Sequence, residues 1–60
     1  MTDKHAMMED LEFLLDTREY PDTIARRLGV QYATLLRYCV ETGRHDLHQR
    51  LKDARQGIAA

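Results

Sequence analysis

Apolar residues recur along this chain at helical spacing, and no run alternates apolar with polar residues as a strand would. Met7, Met8, Leu11, Leu14 and Leu15 fall three and four apart, with Glu9, Asp10, Glu12 and Asp16 between them and Phe13 to one side. Thr2 or Asp3 can cap this segment, so the pattern predicts a first helix over 3–16 with its acidic residues suited to the dipole. Its methionines and Phe13 are expected in the core.

The connection TREYP ends at Pro21, and proline at a first helical position forgoes an amide proton that would have stayed unpaired. A two-turn helix over 21–28 follows, with Ile24, Ala25 and Leu28 on its apolar side and Arg26 and Arg27 pointing away. Gly29 ends it by taking the left-handed backbone conformation that other residues resist. A third helix is predicted over 31–42, stopped by Gly43. A fourth spans 46–55 on a stripe of Leu47, Leu51 and Ala54, extended by Ile58 if the helix continues, and residues 56–60 read as a frayed tail.

Sixty residues make a single domain, 1–60, near the lower size limit for folding without a staple. Cys39 is the only cysteine, so neither an internal disulfide nor a clustered zinc site is expected. The expected class is therefore all-α, with a small core built by the helices or completed by a partner. No apolar run approaches the ~18 residues of a membrane span. The start, MTDKHAMMEDLEF, is too acidic and too broken for a signal peptide, so a cytoplasmic protein is expected.

Charge changes the picture by its placement. The formal net charge is −1, yet residues 1–22 set Lys4 and Arg18 against seven carboxylates, a balance of −5. Residues 23–60 set seven cations against Glu41, Asp46 and Asp53, a balance of +4. Such asymmetry suits either an anionic partner for the second half or attraction between the halves within the fold.

Around Gly29 the residues fall into a recurrent arrangement. Ala25 lies four before it, Ile24 five before, Leu28 one before, Val30 one after, Leu35 six after and Tyr38 nine after. This spacing resembles the helix-turn-helix family of DNA-binding domains over residues 21–40. More loosely, IARRLGV, ATL, RY and then GRHDL resemble small helix-turn-helix proteins of bacteria and actinobacterial phages. Ala25 must be small where two helices cross closely, Gly29 shapes the turn, and Leu35 and Tyr38 hold the third helix inward. The resemblance implies a three-helix helix-turn-helix core with an additional C-terminal helix.

The resemblance further implies that helix 31–42 enters the major groove of double-stranded DNA, as in a small transcriptional regulator of a bacterium or phage. The side chains carried to that role are Gln31, Tyr32, Ala33, Leu36, Arg37 and Val40. Gln31 suits adenine, Arg37 guanine or a phosphate, and Ala33 a thymine methyl. Arg26, Arg27, Arg44 and Arg50 would clamp the backbone. A projection at 100° per residue, centred on Leu35, puts Tyr38, Cys39 and Thr42 inward and Ala33, Leu36, Arg37, Val40 and Arg44 outward. Three of those five are apolar, so a cover is expected for Leu36 and Val40: the fourth helix, a second copy in a homodimer, or another protein. The alternative function is thus a protein-interaction module gripping its partner through Leu36 and Val40.

Other features point to less. A small helical chain does not enclose the sheltered pocket that catalysis needs, and no phosphate loop or nucleophile elbow occurs, so neither an enzyme nor a cofactor is expected. His45 and His48 supply two metal ligands at most, which read as a surface pair beside Asp46. His5 reads as solvated, and Cys39 as an inert core residue. Arg50, Lys52 and Arg55 read first as a solvated face, although nearness to the third helix keeps a nucleic-acid role open.

Overall fold

The computed structural model describes the backbone of residues 3–59 and the side chains of residues 3–57. Among the described residues the protein is all-helical, with four helices and no strand: α1 Lys4–Asp16, α2 Pro21–Leu28, α3 Tyr32–Glu41 and α4 His45–Ala59. Asp3 caps α1, its carboxylate accepting from the His5 and Ala6 amides, which satisfies two of the unpaired donors of the first turn. Thr2, the other expected cap, and the side chain of Ile58 lie outside the described residues.

The chain turns three times by one device. At the end of α2, Gly29 has φ +75°, and the amides of Gly29 and Val30 donate back to the carbonyls of Arg26 and Ala25. At the end of α3, Gly43 has φ +76°, with its amide and that of Arg44 donating to Val40 and Cys39. At the end of α1 the same left-handed position is held by Arg18, φ +65°, and the Glu19 amide reaches the Leu14 carbonyl. Each closure satisfies carbonyls that a helix end leaves open. An L-residue resists this conformation and glycine does not, so Arg18 stores strain that Gly29 and Gly43 avoid.

One core joins all four helices: Met7, Met8, Leu11 and Leu15 from α1, Ile24 and Ala25 from α2, Leu35 and Cys39 from α3, and Leu47 and Leu51 from α4. The fourth helix therefore completes the monomer core, and it packs most heavily against α3. Cys39 is fully enclosed, and burial, reinforced by the Asp46 carboxylate, pushes its thiol from 9.0 up to about 11. The buried thiol stays neutral where an exposed one would ionise.

Several expectations change. The third helix is shorter than 31–42, because Gln31 is extended (φ −84°, ψ 155°) and Thr42 is its C-cap. The fourth begins at His45 and continues past Arg55 to Ala59, so residues 56–59 are helical rather than a frayed tail. Adding a residue to an existing helix costs far less than starting one, and no proline interrupts this stretch. Phe13 is 65% exposed rather than core. At the helical pitch it points about 160° away from Leu11, on the face opposite the buried residues.

The shared turn geometry predicts opposite outcomes at two positions. Gly29→Ala destabilises by about 1 kcal/mol, from torsional strain alone since a Cβ there meets nothing within 4 Å. Arg18→Gly leaves stability equal or higher by up to about 1 kcal/mol, strain relief opposing the added freedom of the unfolded chain. Urea unfolding of both variants beside the parent checks the signs. The thiol gives a second prediction. Above pH 9 the unfolded thiol ionises while the folded one holds its proton, so stability falls as pH rises towards about 11. Alkaline denaturation of the parent should show this decline, and Cys39→Ala should flatten part of it.

Candidate nucleic-acid interface

The edge of α3 that faces away from the core is set by its pitch. Leu35 and Cys39 are fully buried, while Ala33, Arg37 and Val40 are exposed, as is Gln31 at the N-cap. Gln31 makes no side-chain cap, so no side chain of that residue occupies the first amides of α3. Around the turn, Ala25 is 4% exposed, while Leu28, Val30 and Tyr38 are half-buried and packed on the core. Thus Ala25, Leu35 and Tyr38 face inward, and Gly29 adopts the left-handed turn.

The six candidate base contacts do not form one uniform face. Gln31, Ala33 and Arg37 are open to solvent; Val40 is 49% exposed towards the helix end. Tyr32 and Leu36 are half-buried and line a groove of about 310 Å³ with Lys52, Arg55 and Gln56 of α4. The Arg55 guanidinium sits 4.3 Å above the Tyr32 ring, a cation–π contact that fixes both side chains. Leu36 projects about 100° from Leu35, on the same side as Tyr32 at about 60°, and α4 occupies that side. Leu36 is therefore not part of an open apolar patch.

The backbone-clamp candidates also separate. Arg26 is exposed and forms no ion pair with a described residue. Arg27, exposed on the same helix, approaches Glu19 at 3.7 Å. Arg44 does not lie on α3, which ends at Glu41; its guanidinium donates to Glu12 at 2.7 Å and forks onto both oxygens of Asp46 at 3.1 Å. The fork holds the Asp46 carboxyl below its usual range and raises the guanidinium's own pKa. Arg50 donates to Asp16 at 2.8 Å. Both arginines thus tie α4 to α1.

Arg37 is held loosely, 3.6 Å from Glu41 and 5.5 Å above the Tyr38 ring, while Lys4 reaches the same Glu41 at 2.6 Å. The Lys4 hydrogen bond lowers the Glu41 carboxyl. With Lys4 on Glu41, Arg37 can swing outward without leaving that carboxylate unpaired. Lys52 and Arg55, for which the sequence leaves a nucleic-acid role open, and Gln56, for which it suggests none, are brought by α4 beside the start of α3. Their only sequence signal is two cations three residues apart on one helical face. His45 is exposed and His48 half-buried, and no three metal-ligating side chains gather among the described residues. No described helix is long and apolar enough to cross a membrane.

The Arg44 fork yields an acid-side prediction. Arg44→Ala lowers the thermal midpoint at pH 7, because Glu12 and Asp46 lose their shared cation. Asp46 has a depressed folded pKa, so its stabilisation is complete above about pH 4 and is lost as pH falls through the folded value. The gap between variant and parent should accordingly narrow below pH 4 in a series of melting curves.

No protein-family model, curated protein or solved structure matches this chain.

Proposed function

We propose that the protein is a small helix-turn-helix DNA-binding protein that sets α3 against the major groove, the working part of a bacterial or phage transcriptional regulator. The supporting observation is the outward edge of α3, where Ala33 and Arg37 are solvent-exposed, with exposed Gln31 at the N-cap, while Leu35 and Cys39 anchor the opposite edge in the core. Gln31 suits adenine, Ala33 a thymine methyl, and Arg37 guanine or a phosphate. The α3 N-terminus, without a side-chain cap, favours a phosphate through its free amides and dipole. Arg26 on α2 is exposed with no carboxylate partner among the described residues, and Lys52 lies beside Tyr32 and Leu36 of α3. The clamp set reduces to Arg26, Arg27, Arg37 and Lys52, since Arg44 and Arg50 hold α1. Four phosphate contacts make a modest, strongly salt-dependent binder, with a slope of log K on log salt near −0.9 per contact, or about −3.6.

The reading in which Leu36 and Val40 grip a protein partner is weakened, because Leu36 lies in the α3–α4 groove and only Val40 stays broadly exposed.

Fluorescence anisotropy with a random duplex tests the proposal. Binding in 50 mM salt should weaken by about two orders of magnitude at 200 mM. Arg26→Ala or Arg37→Ala should each reduce the salt slope by about one, while Arg50→Ala leaves it unchanged. Failure to bind at 50 mM salt with about 100 µM protein would contradict it.

A further inference from the structure

Phe13 is the most exposed large apolar side chain among the described residues, at 65%, and it does not stand alone. With Leu14 of the same helix and Leu28 of α2 it lines an open slot of about 420 Å³ between α1 and α2. Asp10 lines the α1 side and Arg27 the α2 side. Leu14 and Leu28 back onto the core, so the floor of the slot is firm and apolar. None of its lining residues comes from α3 or α4.

We propose that this slot is the interface of a homodimer, each copy inserting Phe13 against the other's Leu14 and Leu28. The occupant is identified by self-complementarity. In a two-fold pairing with the axis running along the slot, the α1 rim of each copy lies over the α2 rim of the other. Asp10 then meets the partner's Arg27, and by symmetry the opposite pair forms too. One apolar wedge, one apolar floor and two rims of opposite sign are what such an interface needs from a single chain. Asp10 makes no side-chain hydrogen bond or ion pair with a described residue, and Arg27 is engaged only at 3.7 Å by Glu19, so both are free to turn. A standard interface takes about 800 Å² per partner, roughly a fifth of this chain's 4109 Å² surface. The slot and its rims supply the centre of such a contact. Arg27 belongs to this interface and so leaves the set of phosphate clamps in the dimer. The α3 edge is outside it, so each copy keeps that edge.

Sedimentation equilibrium of the full chain across about 5 µM to 1 mM tests the interface without reference to DNA. The parent should pass from monomer to dimer. Phe13→Asp, which removes an exposed side chain and should keep the parent's circular dichroism, should raise the dissociation constant at least about 10-fold. Asp10→Arg or Arg27→Asp alone should weaken the dimer several-fold, and the two together should restore it. A protein that stays monomeric to 1 mM overturns the proposal. So does a dimer insensitive to Phe13→Asp, which assigns self-association to another surface, or a double charge exchange that fails to rescue.

Discussion

Leu35 and Cys39 on one side, with Leu47 and Leu51 on the other, supply the packing on which the rest of this molecule depends. All four are fully buried in a single core. A chain of this length has no disulfide to hold it, and burying a leucine contributes about 1.5–3 kcal/mol against a total stability of only a few. α3 therefore has one orientation available to it. Turning it would expose Leu35 and Cys39 and bury Arg37, and its outward edge is fixed as a consequence of the core, before any partner is considered.

Charge organises the surface around that core. The acidic first third and the basic remainder meet at Glu12–Arg44, Asp16–Arg50, Glu19–Arg27 and Asp22–Arg55. Exposed pairs of this kind contribute little to stability. Their larger effect is selection: they occupy Arg44 and Arg50 on the α1 side, while Arg26 and Lys52 form no ion pair with a described residue and Arg37 shares Glu41 with Lys4. The same carboxylates keep the chain near neutrality, so any attraction to a polyanion is local to one side of the protein and readily screened by salt.

Much of the fold was legible because backbone constraints are written in residue type. Gly29 and Gly43 mark two reversals, Pro21 marks a helix start, and the spacing of Leu11, Leu35, Leu47 and Leu51 marks the inward faces. The first reversal was less visible, because Arg18 occupies the left-handed position with no residue-type signal. The site was legible only in outline. Leu36 and Val40 lie one turn apart on the same side of α3, yet Leu36 lines the groove against α4 while Val40, nearer the helix end, stays 49% exposed. Likewise Arg44 and Arg26 are indistinguishable as letters; the fork onto nearby Asp46 and the reach to Glu12 on a distant helix make Arg44 structural and leave Arg26 without a partner among the described residues. Phe13 has a residue type that suits the core and a helical angle that points to solvent, and the angle prevails.

The central claim is that the outward edge of α3, with Arg26 and Lys52 beside it, meets the duplex and that α1 does not. Nitrogen–proton correlation spectra recorded while a random duplex is titrated in at low salt test it directly. The account predicts that the amides of Gln31, Ala33 and Arg37 shift together with that of Arg26, while those of Glu9 and Glu12 on α1 stay still. Shifts gathered on α1, or none at saturating duplex, would contradict it.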